Sequence, residues 1–310
     1  MSEWHFLPVP SKVNLRLKVL AREVSGYHQV ETLMAAVEWG DRLWLRWLGE
    51  GRGVELRTTG EPVGPVEENL AYRAADRFLA RSGVGGRVEL WLEKKVPPGT
   101  GLGGGSADAA FVLRGLNAVS GAPLDPWTLT REASALGSDV PFFTGPAPLA
   151  LAWGRGGRML GVEGLPPAPV VLALPGTGVE TPWAYRALSG EGEHEPGTGS
   201  EPFLLDGDSL TDWTRISRLA ENDFEGVVLA RHPALARIRA SLADSSGARF
   251  ALLSGSGSAS YGVFRREEDA RAAAKSLAPA FPDVRFVATR TVRRFPSPVV
   301  VGGPGDVPPT

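Results

Sequence analysis

Five glycines fall within the seven positions Gly99 to Gly105, in the run Pro97-Pro98-Gly99-Thr100-Gly101-Leu102-Gly103-Gly104-Gly105-Ser106. Without Cβ atoms, backbone N–H groups can approach a ligand closely and the chain can take positive φ. Ser106 and Ala107 then open an Ala- and Leu-rich helix that runs to Val119. Its N-terminus adds unpaired donors and partial positive charge, which together suit a di- or triphosphate. The Ser106 hydroxyl stands where it would meet phosphate or a bound Mg²⁺. A flexible linker or tight turn is the plain alternative, and it fits poorly between a strand and a strong helix.

The type of phosphate loop follows by comparison of patterns. A P-loop ends in Gly-Lys-Ser/Thr, whereas Ser106 follows glycine. Gly99-Thr-Gly101-Leu-Gly103-Gly104 satisfies G-x-G-x-x-G, a weak signal on its own. The strand before it alternates and carries Glu93, Lys94 and Lys95, unlike a buried dinucleotide-fold strand. The acid about twenty residues on, where a ribose-binding group belongs, is Asp125, which lies in a turn.

The elements that would position this loop are read from periodicity. Val13, Leu15, Leu17 and Val19 alternate with Lys12, Asn14, Arg16 and Lys18, giving a strand with an apolar and a polar face. Leu43 to Trp47 and Val88 to Leu92 repeat the pattern, so an antiparallel or mixed sheet with a half-exposed face is expected. Helices are expected from Asn69 (as cap) to Arg81, Ser106 to Val119, Pro126 to Leu136, Leu219 to Ala230, Ala234 to Ala243 and 267 to 277. Further strands are expected at Val170 to Leu174, Arg249 to Leu253 and Val284 to Thr291. Residues 188–212 read as an exposed acidic loop and 296–310 as a loose Pro/Gly-rich tail. The reading is α+β in two lobes, residues 1–165 and 166–295.

Composition bounds the partners. The 310 residues carry a formal net charge of −2, which gives no support to a nucleic-acid or anionic-membrane binder. There are no cysteines, so disulfides, thiolate nucleophiles and thiolate zinc sites are excluded. The four histidines show no metal-ligand spacing. No apolar run approaches the roughly 20 residues of a membrane span, and the N-terminus lacks the features of a signal peptide. A cytoplasmic enzyme acting on a small molecule is expected; nothing indicates an oligomeric state.

Pro-Pro-Gly-Thr-Gly-Leu-Gly-Gly-Gly-Ser-Ala-Asp-Ala-Ala resembles the second signature of the GHMP kinases, whose loop covers the ATP phosphates. Pro10 to Leu15 with Gly26 to Leu33, and Leu136-Gly-Ser-Asp-Val-Pro-Phe-Phe143, narrow the resemblance to the 4-diphosphocytidyl-2-C-methyl-D-erythritol kinase family. Leu253-Ser-Gly-Ser-Gly-Ser258 is similar to the third GHMP signature, and Glu221-Asn-Asp-Phe-Glu225 also fits the family. Ser11, Ala107 and Ser138 depart from common residues of the family, each small for small. The resemblance implies an N-terminal lobe like domain 2 of ribosomal protein S5, a ferredoxin-like C-terminal lobe and an active site between them. It also implies ATP with Mg²⁺ as co-substrate and phosphorylation of a 2-hydroxyl in non-mevalonate isoprenoid precursor synthesis.

The same resemblance assigns single residues. Asp139 would accept the hydroxyl proton, where its residue type alone is equally a helix cap. Lys12 would hold Asp139 ionised and steady the moving phosphoryl charge, and Asn14 would touch substrate; a solvated strand face is the alternative for both. Tyr27 and His28 would hold a cytosine by stacking and edge hydrogen bonds, or else form a turn. Thr181 is a substrate contact or a helix cap. Gly255 to Ser258 is a plain tight turn or, in this setting, would close over the loop and the nucleotide. Another GHMP kinase acting on homoserine, mevalonate or a sugar would share the loop but has no reason to carry Gly26-Tyr27-His28. A non-catalytic nucleotide module would tolerate loss of Lys12 and Asp139.

Overall fold

The structure is a computed structural model; it describes residues 3–23, 28–154, 156–162, 165–190 and 210–301. The first part of the chain forms β1 (Trp4–Arg22), β2 (His28–Leu48), β3 (Arg52–Gly60), α1 (Leu70–Ser82), β4 (Gly86–Lys94), α2 (Gly104–Val119), α3 (Pro126–Ser134), α4 (Val140–Thr144), β5 (Leu149–Gly154) and β6 (Arg158–Gly161). The rest forms β7 (Pro169–Pro175), α5 (Thr181–Gly190), α6 (Trp213–Leu219), β8 (Glu221–Asn222), α7 (Phe224–Arg231), α8 (Pro233–Ala243), β9 (Ala248–Leu253), β10 (Ser260–Phe264), α9 (Glu267–Leu277), β11 (Val284–Arg290) and β12 (Val299–Val301).

The larger sheet runs β12-β1-β2-β4-β3, with β5 on β2, β6 on β5 and β8 on β1. It is mixed: β3 and β4 pair in parallel across the α1 crossover, and β8 joins β1 in parallel. The smaller sheet, β11-β7-β10-β9, is antiparallel throughout. Its first-to-last order of 4-1-3-2 with intervening helices is the ferredoxin-like arrangement.

Two register shifts in β1 decide what faces what. Pairing with β2 slips between Pro10 and Ser11 and again between Asn14 and Arg16. A one-residue slip moves side chains to the other face. Leu7 and Val9 accordingly enter the core against α1 and α2, whereas Val13 and Leu15 enter a second core against Leu172, Leu252 and Tyr261 of the small sheet. Lys12 and Asn14 are thereby turned toward the glycine loop. A third core lies beneath α5, α7, α8 and α9.

Helix signals in the sequence hold where local chemistry sets them. Asn69 Oδ1 accepts from Ala71 N and Gly83 ends α1 at φ 71°. Asp125 caps α3 with Pro126 in its first turn. Four expectations are corrected. The polar face of β1 is not half-exposed: Lys12, Asn14 and Arg16 are 3, 2 and 6 % exposed. The helix expected at Leu219–Ala230 is interrupted by β8, whose Asn222 side chain is committed to hydrogen bonds with the Leu253 and Gly255 carbonyls. The tail is not loose throughout, because Val299–Val301 pairs with β1. The segment before it, expected to belong to the C-terminal lobe, returns to the first core: Val292 N donates to Ala36 O, and Phe295 meets Phe111 and Phe142 edge-on at 6.0 and 5.9 Å. Most of the acidic loop, 191–209, lies outside the described residues.

That return makes Phe295 a clip between the chain end and the first lobe. Phe295→Ala is expected to cost about 3 kcal/mol, the lower end of Phe truncations, since the ring keeps slight exposure. Urea unfolding checks this: the midpoint falls with m unchanged, and an unaltered midpoint refutes the clip.

Candidate active site

A cleft of about 790 Å³ opens between the lobes, and Lys12, Asn14, His28, Thr32, Asp139 and Thr181 are among its lining residues. The glycine loop forms one rim through Gly101 and Gly103, and Gly255 with Ser256 forms another. The structure thus gathers residues from positions 12 to 256 into one space.

Lys12 is the buried cation of the site. Its Nζ lies 2.7 Å from Asn14 Oδ1 and 3.6 Å from Asp139 Oδ2. The Asp139 side chain is 40 % exposed, so it stands at the mouth of the pocket with one partner inside. It directly precedes α4, and its carboxylate makes no cap hydrogen bond there. Asn14 is satisfied on both ends: Oδ1 also accepts from Gly255 N at 2.8 Å, and Nδ2 donates to Thr32 Oγ1 at 2.8 Å. Tyr261 OH donates to Asn14 O at 2.7 Å, fixing the strand from the opposite lobe. Burial pushes the Tyr261 phenol well above its ordinary range, with the charge of Glu225 adding to the rise, so the hydroxyl stays a donor.

The glycines of the loop are set by protein packing as well as by access to a ligand. Gly101 has φ 79°, and a Cβ there would lie 1.9 Å from Ser254 O. Gly103 has φ 69°, and its Cβ would press on Lys12 Cγ at 3.1 Å. Lys12 N donates to Leu102 O at 2.9 Å, and Ser254 Oγ donates to Gly101 O at 2.8 Å. Strand, loop and third glycine motif therefore hold one another. Within the expected ATP-binding set, Leu102 and Ala107 send their side chains into the apolar cores and offer the site backbone alone. Thr100 Oγ1 is spent on Pro97 O at 2.8 Å. Pro98, Gly99 and Gly105 are exposed, and Pro97, Gly104 and Ser106 line a second cavity of about 410 Å³ beside the loop.

That second cavity reveals a constellation the sequence did not announce. Lys94 is 4 % exposed and pairs with both Asp41 and Asp108, the latter at 2.6 Å. Asp41 Oδ1 also accepts from Lys95 N at 2.5 Å and Val96 N at 2.9 Å, which anchors the chain as it enters the loop. Burial raises the Asp108 carboxyl well above the usual carboxylate range, against the pull of Lys94.

At the far end of the cleft, His28 stacks on Tyr185 with ring centroids 5.0 Å apart and planes at 21°. His28 Nε2 lies 2.9 Å from Ser189 Oγ. Burial and the charge of Asp139 raise the Tyr185 phenol above its ordinary range. Tyr27 lies outside the described residues. Thr181 pairs its hydroxyl with that of Ser256 at 2.8 Å, across the cleft rim. Tyr185, four positions after Thr181 on α5, was not singled out from the sequence; the helical spacing from Thr181 was the available signal.

Among the described residues, no three His, Asp or Glu side chains gather to hold a metal ion. A hard cation carried by a nucleotide needs few protein ligands, and the Ser106 hydroxyl, with no hydrogen-bond partner, fits that demand. No described helix is long and apolar enough to cross a membrane.

Comparison with known proteins agrees with this geometry. The GHMP kinases N terminal domain model matches residues 69–145 and the GHMP kinases C terminal model matches residues 208–283. The 4-diphosphocytidyl-2-C-methyl-D-erythritol kinase of Syntrophotalea carbinolica is 39 % identical over 86 % of this chain and 92 % of its own length. That of Moorella thermoacetica is 39 % identical over 92 % of this chain and 98 % of its own. A crystal structure of 4-(cytidine 5'-diphospho)-2C-methyl-D-erythritol kinase superposes with TM-score 0.74 at 38 % identity, over 92 % of this chain and 98 % of that one. Homoserine kinase from Cytophaga hutchinsonii, 17 % identical with TM-score 0.70 over 97 % of each chain, shares the fold alone. A buried lysine facing an acid beside a glycine-rich helix start, carried on this two-sheet frame, goes with these matches: the chain belongs to the 4-diphosphocytidyl-2-C-methyl-D-erythritol kinase family of the GHMP kinases.

Proposed function

We propose that the protein transfers the γ-phosphoryl group of ATP to the 2-hydroxyl of 4-diphosphocytidyl-2-C-methyl-D-erythritol, with Lys12 and Asp139 as its catalytic pair. The observation that carries the assignment of roles is the 3.6 Å approach of Lys12 Nζ to Asp139 Oδ2 inside the cleft, beneath Gly103. In this reading the first lobe supplies the phosphate loop and the pair, and the second supplies Thr181 and the Gly255–Ser258 turn. A cytoplasmic location goes with the reading.

Phosphoryl transfer leaves little covalent work to the protein; positioning and electrostatics carry it. Asp139, half in solvent, orients the acceptor hydroxyl and takes its proton as the new P–O bond forms. Lys12 faces that carboxylate and the negative charge of the transferring group. Backbone N–H groups from Gly99 to Ser106 cradle the polyphosphate at the start of α2. Mg²⁺ brought with ATP would neutralise phosphate charge, with Ser106 Oγ as its protein contact. His28, with Tyr27 and the ring of Tyr185, holds the cytosine, while Asn14 and Thr181 meet the polyol diphosphate.

Three measurements test these roles. Asp139→Asn is expected to lower kcat by about two to four powers of ten with the KM for ATP nearly unchanged. A variant that keeps most of its turnover removes Asp139 from the chemistry. Gly103→Val introduces a branched side chain at positive φ against Lys12. ATP affinity by calorimetry is expected to collapse while far-UV circular dichroism stays native; normal affinity would move the phosphate site elsewhere. A base stacked on a ring is worth about 1–3 kcal/mol. His28→Ala is therefore expected to raise the KM for the cytidine substrate about tenfold or more and leave that for ATP alone. Equal use of the full substrate by His28→Ala and wild type would contradict the cytosine contact.

A further inference from the structure

Away from the cleft lies a cavity of about 620 Å³ that shares no lining residue with the cleft or with the space beside the glycine loop. Its walls come from both lobes: α2, the turn before β5, α6 and the returning segment 291–295. The charged residues that line it among the described residues are Arg114, Arg293 and Arg294, with no acid among them.

Among the described residues, none of these three guanidinium groups has an ion-pair partner, and Arg293 and Arg294 make no side-chain hydrogen bond. Arg114 is the deepest. Its Nη1 makes three long bonds to the carbonyls of Phe143, Thr144 and Gly145, at 3.5, 3.4 and 3.2 Å, and its Nε and Nη2 donate to nothing. The remaining Arg114 donors keep contact with solvent. Burial lowers the Arg114 pKa, and the guanidinium lies 5.7 and 5.3 Å from the Phe111 and Phe295 ring centroids. A desolvated cation is costly unless something anionic meets it. Guanidinium groups match the geometry of phosphate oxygens with paired N–H donors. Three of them favour a multiply charged phosphate over a single carboxylate, and Leu149, Trp213 and Phe295 add an apolar wall.

We propose that this cavity is a second anion site, and that its ligand is a diphosphate, either free or esterified to a small apolar alcohol. The site is distinct from the phosphate loop and touches the carbonyl end of α4, whose other end follows Asp139.

The test is calorimetry on the full chain with the cleft saturated by a non-hydrolysable ATP analogue. Inorganic pyrophosphate is expected to bind at one site per chain under those conditions. The joint replacement Arg293→Ala and Arg294→Ala is expected to weaken that binding at least about tenfold, while turnover without pyrophosphate stays at the wild-type value. Tighter binding of butyl diphosphate than of pyrophosphate supports the ester as ligand, and equal binding supports the free anion. Absence of pyrophosphate binding in the saturated protein, or equal binding by the double variant, overturns the proposal. Neither result bears on Lys12 and Asp139, so the kinase reading stands or falls separately.

Discussion

A lysine ammonium held at 3 % exposure is the constraint on which the rest of this molecule turns. Leaving water is expensive for a charge, and the cost is tolerable only when close partners replace the solvent. Lys12 has two, the Asn14 amide oxygen and the Asp139 carboxylate. Asn14 can serve only because its own remaining groups are met by Gly255 N and Thr32 Oγ1, and its backbone carbonyl by Tyr261. The chain of obligations thus crosses from β1 to β2, to the third glycine motif and to the core of the second lobe. An ammonium placed this way is a fixed positive centre beside an acid, which is what a transferring phosphoryl group requires.

The same constraint explains the shape of the backbone. A regular β1 would turn Lys12 and Asn14 away from the face that Leu7 and Val9 share, so the slip at Pro10/Ser11 is needed to bring them under the loop. Gly101 and Gly103 then leave room for the Ser254 carbonyl and the Lys12 stem. Glycine at these positions lets three segments far apart in sequence close on one another.

Much of this was legible from the chain alone where the signal is local. The glycine-rich helix start, the helix caps at Asn69 and Asp125, and the short apolar strand before Pro175 each follow from residues adjacent in sequence. Lys12, Asn14, His28 and Asp139, which lie in the family segments, line one cleft together with Thr181. What stayed hidden depends on partners distant in sequence. Alternation marked the polar face of β1 as solvated, since nothing local reveals that Thr32, Gly255 and Tyr261 would cover it. Lys94 looked like one more charge in Glu-Lys-Lys, and its burial against Asp41 and Asp108 depends on a sheet pairing. The helical composition around Leu219 gave no warning that Asn222 would be claimed by the Leu253 and Gly255 carbonyls. Tyr185 gained meaning only when α5 brought its ring onto His28.

The central claim is that Lys12 and Asp139 work as one unit rather than as two separate contributors. A double-mutant cycle in kcat/KM with Lys12→Met and Asp139→Asn measures that coupling most directly. The account predicts that each single change costs at least about a hundredfold and that the double variant is no more than about tenfold worse than the poorer single. Losses that multiply across the two positions would contradict it.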